Sequence, residues 1–170
     1  MNYYSLLNAP VISFPTGRKI GELSDVLLLD NSTLIFGVIA TNRSLIYSNR
    51  LFKTSDILYM SKDTVTVSGL GERFVKIPKA EGSISFKKAI ENNALSDRKH
   101  KIIGMVKDGY FDMETGSLTE LLVGGSIADD LIHGRRLVRC DSLSLKDGSL
   151  TAENPVEFEG SRELRRLLED

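Results

Sequence analysis

Two aspartates set among apolar residues are the first side chains whose chemistry needs an account. They are Asp25, in Leu23-Ser24-Asp25-Val26-Leu27, and Asp108, in Val106-Lys107-Asp108-Gly109-Tyr110. Paired carboxylates are common equipment for general acid–base catalysis. Each of these stands in an apolar strand pattern beside a turn, where a short carboxylate accepts backbone N–H bonds. Both therefore read as structural. A zinc site would need three or four close Cys, His or carboxylate ligands, whereas Cys140, His100 and His133 are scattered. Cys140, between Arg139 and Asp141, reads as a buried thiol and not as a nucleophile. Asp108, Asp112, Glu114 and Glu120 lack the central glycine and closing glutamate of a calcium loop. Gly69-Leu70-Gly71 lacks the third glycine and following helix of a phosphate loop. No Gly-x-Ser-x-Gly or Ser/His/Asp signature occurs. The expectation is a chain that is no enzyme and carries no metal or cofactor.

The elements that hold these residues are short. Gly17 to Asp30 reads as a turn and an apolar strand, Asp30-Asn31-Ser32-Thr33 as a polar turn, and Leu34 to Ile39 as a second strand. Leu45-Ile46-Tyr47, Leu51-Phe52, Asp56 to Met60 and the alternating Thr64-Val65-Thr66-Val67 follow, divided by polar breaks. Short strands with frequent turns argue for a small antiparallel barrel or sandwich. No helical stripe is visible before residue 70. Phe74 to Pro78 reads as one more strand or an extended strap, with Pro78 confining it to an edge. Phe86, Ala89 and Ile90 have helical spacing, so a short helix is expected there. Strands resume from Ile102 through Leu145, with a hairpin turn at Lys146-Asp147-Gly148-Ser149. Ser161 to Leu168 is expected to add one or two helical turns from a Ser161 cap.

The size, 170 residues, suits one domain or two small ones. A net charge of −1 gives the whole molecule no strong attraction to nucleic acid or membrane. One cysteine excludes an internal disulfide and suits a reducing compartment. No apolar run reaches the roughly 18–20 residues of a membrane span, and the start lacks the pattern of a signal peptide. These features lead to the expectation of a cytoplasmic protein.

The two apolar hairpins are copies. Gly21 aligns with Gly104, Asp25 with Asp108, Asp30 with Asp112, Asp56 with Asp141, and Lys62-Asp63 with Lys146-Asp147, at offsets from 82 to 85. A repeat this long is a duplicated domain and not a solenoid. The division expected is a first barrel over residues 1–70, a basic linker with a short helix over 71–95, a second barrel over 96–158 and a helical tail over 159–170. Gly21 and Gly104 suit backbone positions that reject a Cβ.

These residues resemble a known family. Gly, then Ile-Gly, two residues, Asp-Val and an apolar strand ending in Asp is similar to the PRC-barrel pattern, as is the later Asp-Ile or Asp-Ser-Leu before Lys-Asp. That domain occurs in the H subunit of the photosynthetic reaction centre and in a ribosome maturation factor. The resemblance runs over 7–70 and, more loosely, 96–156. It implies an all-β chain of two tandem small antiparallel β-barrels used in binding and assembly, with no family-wide catalytic residues to carry over. The chain lacks the H subunit's membrane helix, and a second barrel replaces the maturation factor's other domain.

What the copies do not share is where a specific task would lie. Residues 72–101 hold eight basic against four acidic side chains, including Lys87, Lys88, Arg98, Lys99 and Lys101, while the second copy and the tail are acidic. The segment either neutralises the acidic copy or contacts a partner. The leading expectation is a scaffold that binds a still unidentified protein, a second copy of itself among the options. The alternative is an RNA- or ribosome-associated factor, which would require exposed aromatics beside the basic residues.

Overall fold

In a computed structural model that describes residues 1–42, 48–74, 82–91, 93–125, 135–146 and 149–153, the longest apolar stretch of each sequence copy becomes its longest strand. β2 (Lys19–Leu29) and β10 (Ile102–Asp112) each run for 11 residues. The polar turns after them lead back into β3 (Ile35–Asn42) and β11 (Ser117–Gly124). In the first half these are joined by β1 (Pro10–Ser13), β4 (Ser48–Lys53), β5 (Ile57–Met60), β6 (Val65–Val67), β7 (Glu72–Phe74) and β8 (Ser83–Ser85). In the second they are joined by β9 (Ala94–Asp97), β12 (Arg136–Arg139), β13 (Leu143–Lys146) and β14 (Ser149–Ala152).

The two halves have one strand order. The first reads β5-β6-β1-β2-β3-β4, extended by β7 and with β8 on β2; the second reads β13-β14-β9-β10-β11-β12. Register irregularities repeat as well. Pairing slips between Leu23 and Asp25 in β2 and between Val106 and Asp108 in β10. A further slip falls between Leu27 and Leu28, matched between Tyr110 and Phe111. A bulge aims one side chain differently from its neighbours, so its repetition carries the setting of both aspartates into each copy.

In place of the expected antiparallel barrels, the described residues form two sheets with open strand paths, neither purely antiparallel. β6 runs parallel to β1, and β14 parallel to β9. Among the described residues no ladder joins β5 to β4. The reason is the corner between them. β4 passes into β5 through the 3-10 turn Thr54–Asp56, as β12 passes into β13 through Cys140–Ser142. Such a corner does not reverse the chain, so β5 keeps the heading of β4 yet lies at the opposite end of the strand path. Three residues join the two strands, and in the first half the outer side of β4 is taken by β7.

One apolar cluster takes Leu23, Val26, Val38 and Phe52 from the first half and Val106, Leu121, Val138 and Leu150 from the second. A second, smaller cluster, Leu27, Ile39 and Leu51 with Phe36 and Phe74 against it, belongs to the first half alone, so it is the main core that neither half completes by itself. This relieves the size problem, because a 60-residue unit alone buries only about 60% of its unfolded surface.

The helical expectations are met differently. Tyr3–Leu6 forms one α-helical turn, α1, which Asn2 caps by accepting the Ser5 N–H at 2.7 Å. Four residues are too few to leave a stripe in the sequence. In place of the connecting helix, Phe86–Ile90 makes one π-type turn, closed by the Glu91 N–H on the Phe86 carbonyl at 2.8 Å. Phe86 and Ile90 are buried. The strand expected at Leu45-Ile46-Tyr47, the strap beyond Phe74 and the C-terminal helix lie outside the described residues. No helix among the described residues is long and apolar enough to cross a membrane.

Candidate functional site

At the repeated bulges, Asp25 and Asp108 turn inward and are 3% and 7% exposed. Each first accepts the N–H of its own successor, Val26 at 2.9 Å and Gly109 at 2.8 Å. Each is then met by a helical turn from the other half of the chain. The Tyr3 N–H, at the start of α1, donates to Asp108 Oδ1 at 3.1 Å. The Lys87 N–H, in the π-type turn, donates to Asp25 Oδ1 at 3.2 Å. The two turns are themselves copies: Asn2-Tyr3 stands 83 residues before Ser85-Phe86, in each case a capping residue followed by an aromatic. Asn2 bridges to Tyr110 and Ser85 pairs with Leu27, again 83 apart on both sides.

The halves have therefore exchanged their first elements across a pseudo-twofold axis. Tyr3 and Phe86 stack on that axis, ring centroids 4.5 Å apart. Further along it, Leu34 bridges its own counterpart, Ser117. The Ile35 N–H reaches the Gly116 carbonyl and the Leu118 N–H the Thr33 carbonyl, both at 2.8 Å. This is the contact of an isologous dimer built into one chain.

The symmetry fails in the hydroxyls offered to the two carboxylates. The Tyr3 hydroxyl crosses the axis to Asp25 Oδ1 at 3.0 Å, while its counterpart Phe86 has no hydroxyl for Asp108. Ser85 adds a hydroxyl bond to Asp25 Oδ2. Burial pushes the Asp25 carboxyl above the usual carboxylate range, against the lowering effect of bonds from Ser85, Lys87, Tyr3 and Val26. Burial raises Asp108 likewise, opposed by its backbone N–H bonds. Burial, then Asp25, holds the Tyr3 hydroxyl far above its ordinary range, so it remains a donor. The carboxylates spend their lone pairs on this joint. They do the work of fasteners, and neither lines the cavity between the halves.

Gly21 and Gly104 explain themselves by close approach. A Cβ on Gly21 would come 2.7 Å from the Thr41 carbonyl oxygen, and one on Gly104 2.9 Å from that of Gly124. Asp56 and Asp141 are less alike than their alignment implies. Asp56 ends its 3-10 turn and accepts the Lys53 N–H at 3.1 Å, whereas Asp141 lies in the middle of its turn and pairs with Arg139 at 2.6 Å. Cys140 is buried, with its thiol pushed up to about 12 by burial, then Glu120 and Asp141. His133 lies outside the described residues. No three His, Cys, Asp or Glu side chains converge among the described residues.

The basic side chains occupy two places. Lys87 and Lys88 are exposed on the π-type turn, and Arg98, Lys99 and Lys101 on the turn between β9 and β10. That second turn is shaped by Asp97 Oδ1, which accepts the N–H groups of Lys99 at 2.8 Å and Lys101 at 2.9 Å. None of the five makes an ion pair among the described residues. The aromatics of the segment are taken up in packing: Phe86 is fully buried and Phe74 rests against Leu27, Ile39 and Leu51.

Sequence reasoning missed Tyr3, Ser85 and Phe86 as members of the joint. The signal was present in the repeat offset, which continues upstream of residue 7 to the Asn2-Tyr3 and Ser85-Phe86 pairs.

Fold and joint together define a class: a duplicated, mostly β chain whose halves share one core and exchange their first turns. No family model matches the chain. It is similar to the uncharacterized protein YrrD of Bacillus subtilis (strain 168), at 24% identity over 135 residues, 79% of this chain and 76% of that protein. A match of that length is longer than either half and so extends across both.

Proposed function

We propose that the chain is a non-enzymatic scaffold of the tandem PRC-barrel type, and that it holds an acidic face of a partner protein through Lys87, Lys88, Arg98, Lys99 and Lys101. The observation that carries this reading is the uncompensated charge, which at four of the five positions has no basic counterpart in the first half; Lys101 stands where the first half has Arg18. Lys87 and Lys88 stand where the first half has Tyr4 and Ser5, and the Arg98-Lys99 turn stands where it has Phe14-Pro15. The carboxylates common to both halves are engaged in holding them together, which leaves Lys87, Lys88, Arg98 and Lys99 as charges specific to one half. Exposed cations of this kind chiefly set on-rate and salt dependence. With Phe86 and Phe74 occupied in packing, the basic segment offers no stacking platform for RNA bases.

The test replaces the five with Gln in the full chain and titrates salt against binding to the partner captured from a native lysate, and separately against structured RNA. The expected result is an unchanged midpoint of unfolding with weakened, less salt-sensitive binding to the protein partner. Tight RNA binding that falls steeply with salt, at about 0.7 log units per neutralised phosphate, and vanishes in the Gln variant would replace this reading with the RNA-associated one.

A further inference from the structure

A cavity of about 270 Å³ opens where the first half meets the second. Its rim is the polar turn of the first hairpin, Asn31-Ser32-Thr33, and its walls belong to the second half. Leu118 and Leu121 of β11 form one side, and Leu143 and Leu150 the other. Ile90 of the π-type turn and the buried Cys140 complete it. The wall side chains have almost no hydrogen-bonding capacity, whereas the accessible lining as a whole, rim included, is about as polar as it is apolar. The one ionisable group among the described lining residues, the Cys140 thiol, stays protonated at neutral pH because burial raises it.

Where the walls are apolar they give water few partners; an enclosed cavity of about 150 Å³ lined by such residues alone takes up benzene, and this one adds a polar, open mouth. This one has nearly twice that volume, room for about ten or eleven non-hydrogen atoms on the same scale. The rim differs from the walls. The Ser32 hydroxyl is engaged by the Leu34 N–H at 3.1 Å. The exposed Asn31 amide, on a residue held at φ +57°, makes no hydrogen bond among the described residues. It stands free to bind a polar head at the mouth. A few polar groups around an apolar hollow are the usual composition of a small-molecule site.

We propose that this cavity is a binding site for a neutral, mainly apolar small molecule, bicyclic or of medium chain length, carrying one hydroxyl or amide that meets Asn31 at the rim. An anion is excluded by the lining, which offers no cation to offset the loss of hydration. The site is independent of the basic face, since none of the five cations lines it.

The probe is 2-naphthol at neutral pH, with 2-naphthalenesulfonate as its charged counterpart. Calorimetric titration of the full chain is expected to show saturable binding of the naphthol and none of the sulfonate. Methyl resonances of Leu118, Leu121 and Leu150 should shift with the same saturation. Two variants fill the space, Leu143→Phe and Cys140→Met, and either one that keeps the wild-type circular dichroism should weaken binding about tenfold or more. Absence of saturable binding, shifts confined to other methyls, or equal binding of the sulfonate would overturn the proposal. So would undiminished binding in a folded filling variant, and the methyl map of the wild-type chain decides the matter even if both variants unfold.

Discussion

Tyr3 carries one of the two hydroxyls, with that of Ser85, that Asp25 receives and Asp108 does not. Tyr3→Phe restores the pair that symmetry would give, with Phe on both sides of the axis, and takes one donor from a buried carboxylate. A hydrogen bond to a charged group contributes about 1.5–3 kcal/mol, so urea denaturation should show a loss in that range. Asp25 and Asp108 also set a pH dependence. Their folded-state pKa values lie above the ordinary value of about 3.9, so the folded state binds protons more readily than the unfolded chain. Their contribution is most favourable below that ordinary value and declines as pH rises through the raised folded values. In Asp25→Asn with Asp108→Asn, the fall of stability from pH 4 to 7 should be shallower than in the wild type, as read from urea midpoints across that range. At Gly21 the obstacle is a backbone carbonyl, which cannot rotate away. Gly21→Ala and Gly104→Ala should each cost about 1–3 kcal/mol by the same assay. The inward role of both aspartates was legible from their apolar flanks. Their partners were not, because a hydroxyl 22 residues away or an N–H 105 residues away leaves no mark in local spacing.

At the scale of elements, what the sequence showed best was repetition. Hairpin turns, the apolar strands β2 and β10 and the copy offset could all be read from residue types. Strand direction could not. The parallel pairing of β1 with β6 follows from a 3-10 corner whose three residues, Thr54-Ser55-Asp56, look like any polar break. The helical turns failed for opposite reasons. α1 is too short for periodicity to register, and Phe86–Ile90 was recognised by its spacing but taken as a link when it is the second copy of α1. That equivalence has a measurable outcome. Deleting residues 1–7 should strip amide-exchange protection from β10, where Tyr3 and Asn2 dock, as well as from β1, the next strand in sequence. Loss confined to β1 and its neighbours would contradict the exchange.

The main core of the molecule is drawn from both halves, with only a small satellite cluster in the first, and so the chain should unfold once. Fluorescence of its tyrosines and far-ultraviolet circular dichroism are expected to give coincident urea transitions; two separated transitions would show that the halves stand alone. Residues 1–80 and 81–170 expressed apart should each be unstable, and mixing them should recover the wild-type spectrum. The exchanged turns also impose an order on biosynthesis. A chain emerging from the ribosome presents Asp25 long before Ser85 and Lys87 exist, so the first sheet must wait with an under-coordinated carboxylate and an uncovered flank of β2. Tyr3, made almost at once, waits in turn for Asp108. Neither half can mature during translation by itself, and the nascent chain stays open until the second copy of its own beginning has been made.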